Sequence, residues 1–112
     1  MAGSKLENLR ELGQKGKTKK IMKYVHSKKA DERAAAAEAL GYTSNDDAYN
    51  MLVTMLRDPE ISVCVSAAGA LKEMGRTIAI EHLRNTAKNA TNTALITACN
   101  DAAASLQMNR KQ

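Results

Sequence analysis

Apolar residues recur along this chain at helical spacing, and breaks in that spacing cut it into seven segments. Leu6, Leu9 and Leu12 stand at i, i+3 and i+6 in a first helix, Lys5 to Leu12, capped by Ser4 and ended by Gly13. Ile21, Tyr24 and Val25 share a stripe of a second, Lys19 to His26, after the Gly16-Lys17-Thr18 break. A third, Ala30 to Leu40, stops at Gly41. Ser44-Asn45-Asp46-Asp47, all cap-forming side chains, opens a fourth from Ala48 to Arg57. Asp58-Pro59-Glu60 then turns the chain, with Asp as cap, Pro at the first helical position and Glu near the positive end of the dipole. The fifth helix, Glu60 to Met74, ends at Gly75. Thr77 caps a sixth, Ile78 to Lys88, and Thr91-Asn92-Thr93 opens a seventh to about Leu106. The polar residues 107–112 are expected to fray.

These segments repeat. Arg33-Ala34-Ala35-Ala36-Ala37-Glu38-Ala39-Leu40 lies 31 residues before Cys64-Val65-Ser66-Ala67-Ala68-Gly69-Ala70-Leu71. Leu52 stands 31 before Leu83, and Leu9, Ile21 and Val25 stand 31 before Leu40, Leu52 and Leu56. A fixed period of this size marks a stack of identical supersecondary units. The expectation is one all-α domain over 1–112, a right-handed α-α superhelix of about 3.5 helical-hairpin repeats. Its hairpins would span about 4–27, 30–57 and 60–88, with a final helix at about 93–106. That last helix, carrying Ala94, Leu95, Ala98, Ala102 and Leu106, has no partner in this scheme. One apolar side should then stay open, a possible contact for another copy of the chain or another protein.

The run Leu52-x-x-x-Leu56-Arg57-Asp58-Pro59-Glu60-x-x-Val63-x-x-x-Ala67-Ala68-x-Ala70-Leu71-x-x-Met74-Gly75 resembles a unit of the short HEAT repeats, the subtype known from phycobilisome-lyase-like proteins. The resemblance covers about 29–106 and is densest at 52–75. In that subtype an Arg usually follows the Val. Arg33 fits that place, but Cys64 and Leu95 stand there in the next two units. The resemblance implies a HEAT-like solenoid whose second helices line a concave groove.

On the fourth helix, at 100° per residue, the apolar positions fill an arc of about 200° and leave Asn50, Thr54 and Arg57 as a polar stripe. One period earlier the same stripe is Lys19, Lys23 and His26; one period later it is Glu81, Asn85 and Lys88. The candidate partner-binding residues are therefore Lys19, Lys23, Asn50, Thr54, Arg57, Glu81, Asn85 and Lys88. Residues 1–29 carry nine Lys/Arg against two acids, whereas 30–112 carry eight against ten. Such asymmetry suits an anionic partner: a carboxylate-rich protein or peptide segment, or alternatively a nucleic-acid phosphate backbone gripped by the basic N-terminal hairpin.

Enzymatic chemistry finds little to work with. His26 and His82 sit in different units, and no HExxH, GxSxG or GxxxxGK run occurs. Cys64 has no nearby His or basic residue in sequence to activate it. The chain has no Trp or Phe on which bases would stack. No cofactor or metal is expected. Cys64 and Cys99 form no CxxC and read as buried free thiols of a reducing compartment. With no apolar leader and no long apolar run, the expected product is a cytoplasmic, non-catalytic scaffold or adaptor.

Overall fold

The computed structural model describes residues 5–110, with side chains from Glu7 to Asn109. Seven helices follow one another: α1 (Lys5–Gln14), α2 (Thr18–Ile21), α3 (Ala30–Leu40), α4 (Asp46–Met55), α5 (Ile61–Met74), α6 (Ala79–Asn89) and α7 (Thr93–Arg110). Among the described residues there is no strand. The fold is an all-α helical repeat solenoid.

The first helices of successive units form one row, α1 on α3, α3 on α5 and α5 on α7. Residues one period apart do the same job in it. Leu9, Leu40 and Leu71 are almost wholly buried, as are Ile21, Leu52 and Leu83 on the second helices. Burial of each such side chain contributes about 1.5–3 kcal/mol, so the period is a period of core positions. α1 makes no extensive contact with α5 or α7, so the row is open rather than closed into a bundle.

The second helices lean forward. α4 packs on α5 more than on α3, and α6 rests on α7 rather than on α5. This corrects the expectation for the last helix. Leu95, Cys99, Ala102, Ala103 and Leu106 are buried against α5 and α6, and exposed Thr97, Asn100, Asp101 and Ala104 point outward. Most of its apolar side is thus covered within the chain, with Ala98 half-buried and Ala94 and Met108 exposed.

Small residues set the close approaches of the row. Gly13 does not end α1; it lies inside that helix, buried, and an added Cβ would fall on the Ala39 carbonyl, with Ala39 Cα 3.1 Å away. Gly41 likewise has ordinary right-handed backbone, and a Cβ there would stand 2.9 Å from Ala70 Cα. Left-handed glycines do stop two helices: Gly16, at φ 69° just after α1, and Gly75, at φ 79°, its N–H donating to the Leu71 carbonyl.

Other boundaries also move. Ser4 lies outside the described residues. α2 is a single turn, not a helix to His26, and Met22–His26 continue as tight turns with Tyr24 N–H donating to Ile21 O and Ser27 N–H to Tyr24 O. Lys19 and Lys23 would repel at i, i+4, Lys17 makes no side-chain cap, and the first turn of α2 holds no acid, so a longer helix has little to hold it. Asn45 is the cap of α4, accepting from Ala48 N–H at 2.9 Å, and Asn92 accepts from Leu95 N–H at the start of α7. Glu60, not Asp58, takes the cap position of α5, because the Asp58 carboxylate accepts from the Glu60 N–H and from Arg33. Ile78 rather than Thr77 precedes α6, without a side-chain cap. α7 runs to Arg110 instead of fraying after Leu106: nothing from Gln107 onward is a helix breaker, and Gln107 is half-buried.

Candidate functional site

Two arginines clasp the second unit to the third, one at each end of the hairpin. Arg33, in the first turn of α3, makes a two-pronged ion pair with Asp58 in the turn between α4 and α5, at 2.9 and 3.0 Å, and donates to Ser27 O at 2.8 Å. Both side chains are largely buried. The Arg33 hydrogen bonds hold the Asp58 carboxyl below the usual carboxylate range, outweighing the opposing effect of burial. At the other end Arg76, after α5, pairs with Asp46 at 2.7 Å, donates to Ser44 O and lies 5.4 Å from the centre of the Tyr49 ring. These cations are structural.

The third unit lacks the first of these clasps. Cys64 stands 31 residues after Arg33, and its thiol donates to Asp58 O at 3.0 Å, the carbonyl one period after Ser27 O. The short side chain keeps the near contact and lacks the far one, which would have reached Asn89, one period after Asp58. Burial pushes the Cys64 thiol up, and the Asp58 charge adds to the effect. Where the guanidinium would lie, a cleft of about 360 Å³ opens between α4, the start of α5, α6 and the start of α7. Val53, Leu56, Ile61 and Leu95 make its apolar walls; Arg57, His82, Asn85 and Asn89 stand exposed around it.

All eight sequence-derived positions are exposed. Arg57 and Asn85 meet in this cleft. Asn50 and Thr54 are exposed on α4, with Arg57 exposed in the turn just after it, and the Thr54 hydroxyl donates to Asn50 O at 3.1 Å. Glu81 and Lys88 flank Asn85 on α6. The first hairpin fits less well. Lys19 lines a separate hollow of about 500 Å³ with Lys17, Lys20, Asn45 and Asp47, and Lys23 falls in the turns beyond α2. The stripe of Lys19 and Lys23 is therefore not one helical face.

Ile61, His82, Thr86 and Asn89 line the cleft but were not among the residues that the α4 stripe picks out. The signal for them was present at position 64: a lost arginine in a repeated clasp implies an unfilled volume around its missing reach. Tyr49 is buried and supplies no exposed anchor, whereas half-buried Val53 borders the cleft.

Among the described residues no three His, Cys, Asp or Glu side chains gather as a metal site, and no helix is long and apolar enough to cross a membrane. No curated protein matches the chain in sequence. A sequence-family model for HEAT repeats matches residues 18–104, which takes in the second helix of the first unit and the first two-thirds of α7. With most of its length matched, and with the periodic core and open helical row just described, the chain belongs to the HEAT-repeat family.

Proposed function

We infer that this chain is a non-catalytic adaptor that docks an acidic protein segment along the exposed positions of its second helices, from Lys19 and Lys23 in the first hairpin through α4 to α6. HEAT repeats are commonly protein-interaction scaffolds. What supports the specific surface is the charge left unspent on it. Arg33 and Arg76 are paired with carboxylates, whereas Arg57, Lys88, Lys19 and Lys23 are exposed with no ion pair among the described residues. Asn50, Thr54, Glu81 and Asn85 supply polar positions between them. Exposed cations of this kind steer an anionic partner and set its register more than they set raw affinity. The 31-residue spacing and the Leu52–Gly75 pattern support placing these units in the short, phycobilisome-lyase-like subtype. Two buried free thiols suit a cytoplasmic location.

Affinity purification with the wild type and with a Lys19→Glu/Lys23→Glu/Arg57→Glu variant tests the reading. Loss of one specific partner from the variant supports the surface; an unchanged set of partners moves the site elsewhere. Phosphate-backbone binding through the first hairpin is the second reading, supported by the three lysines around the hollow at Lys17–Lys20. Nucleic-acid affinity would then fall steeply with salt, log against log. No binding at low salt to duplex or single strand removes it.

A further inference from the structure

The cleft beside Cys64 is where the α4–α6 part of the surface proposed above becomes concave, and its origin defines its occupant. It occupies the reach of an arginine that the preceding unit has and this one lacks. Restoring a cation there is electrostatically unfavourable: Asn89 replaces the carboxylate, Asp58 is already held by Arg33, and unpaired Arg57 stands on the rim. Apolar walls remain. Ile61 is one of four large hydrophobic side chains exposed on the described surface, and it stands at this cleft. A cavity of roughly 150 Å³ already holds a benzene-sized molecule. At about 360 Å³ the cleft has room for a large side chain and part of the backbone that carries it.

We propose that this cleft is the specificity pocket of the docking surface, taking one large apolar side chain of a peptide whose neighbouring carboxylate meets Arg57. The proposal rests on the adaptor reading, with charge supplying general affinity along α4 and α6 and the cleft selecting the sequence. The apolar side chain leaves water for Val53, Ile61 and Leu95, and the carboxylate meets the exposed guanidinium of Arg57, which has no ion pair among the described residues. A hot spot of this form, a buried anchor ringed by polar groups, carries most of the energy in many interfaces.

The test uses the full chain and two synthetic nine-residue acidic peptides, one with a single central Phe and one with Gly in its place. The expected result is that the Phe peptide binds at least about tenfold more tightly. It should also shift the amide resonances of Ile61, Cys64, Asn85 and Asn89. Cys64→Arg/Asn89→Asp rebuilds the missing clasp inside the cleft and should make the two peptides bind alike. Ile61→Glu, at an exposed helix start where an acid is tolerated, should remove the preference by a separate route, with unfolding temperature reporting that each variant is folded. Equal binding of both peptides to the wild type overturns the proposal, as does no binding of either, or a Phe preference that survives in folded variants. Weak, salt-sensitive binding of both peptides that disappears in the Lys19→Glu/Lys23→Glu/Arg57→Glu variant would leave the adaptor reading standing while the pocket falls. If that reversal changes nothing, the adaptor reading fails on its own account.

Discussion

Arg33 and Asp58 lie 25 residues apart and belong to successive units, yet they form the most buried ion pair among the described residues. The pair ties the start of α3 to the turn that launches α5, so it fixes how one unit sits on the next. Asp58→Asn keeps the shape and removes the charge. The expected outcome is a fall of several degrees in unfolding temperature at neutral pH, because Arg33 loses its counter-charge in a mostly dry site. The sign with pH follows from the depressed Asp58 carboxyl: its stabilisation is present above the ordinary carboxylate range and is lost as pH falls through the lower folded value. Thermal melts from pH 7 down to 2 should show wild type and variant converging.

Two glycines give opposite expectations. Gly13→Ala would drive a methyl into the Ala39 backbone and push α1 off α3, costing about 1–3 kcal/mol. Gly69→Ala, on the exposed side of α5 with nothing within 4 Å, should add about 0.5–1 kcal/mol through helix propensity alone. Urea denaturation of both variants measures the contrast. Equal effects would mean that the row is packed less closely at α1–α3 than its backbone indicates.

Cys99 carries an alkaline signature. Burial pushes its thiol up from near 9 to about 11. The folded state therefore keeps the proton that the unfolded chain releases above pH 9, and stability falls as pH rises from there to about 11. The full loss is about 2–3 kcal/mol. Cys99→Ala removes this dependence, so its stability deficit relative to wild type should shrink across that window in denaturant titrations. The same burial keeps the folded thiol unreactive: alkylation at pH 8 should be at least tens of times slower than in the unfolded chain.

Much of this architecture was legible from spacing. A 31-residue echo of Leu9, Leu40 and Leu71 places helices and their buried faces because each repeated leucine meets the same neighbours. The polar side of α4 followed from the same arithmetic, and Asn50, Thr54 and Arg57 are exposed as that arithmetic requires. What periodicity could not carry was the response of a sequence that breaks it. α2 is a single turn, and its early end takes Lys23 off the helical stripe. Gly13 and Gly41 read as stops, but their role is tertiary and depends on how near Ala39 and Ala70 approach. The cleft arises from a missing reach at Cys64, and an absent contact leaves no periodic mark except the substitution itself.

The forward lean of the second helices has a bearing on what counts as a module. Sequence pairs α3 with α4 and α5 with α6, but cohesion pairs α4 with α5 and α6 with α7. The mechanical brick is out of phase with the written one by a helix. Lengthening this array by grafting whole sequence repeats after α6 would work only if the incoming piece begins with a helix shaped like α7, on which α6 can come to rest.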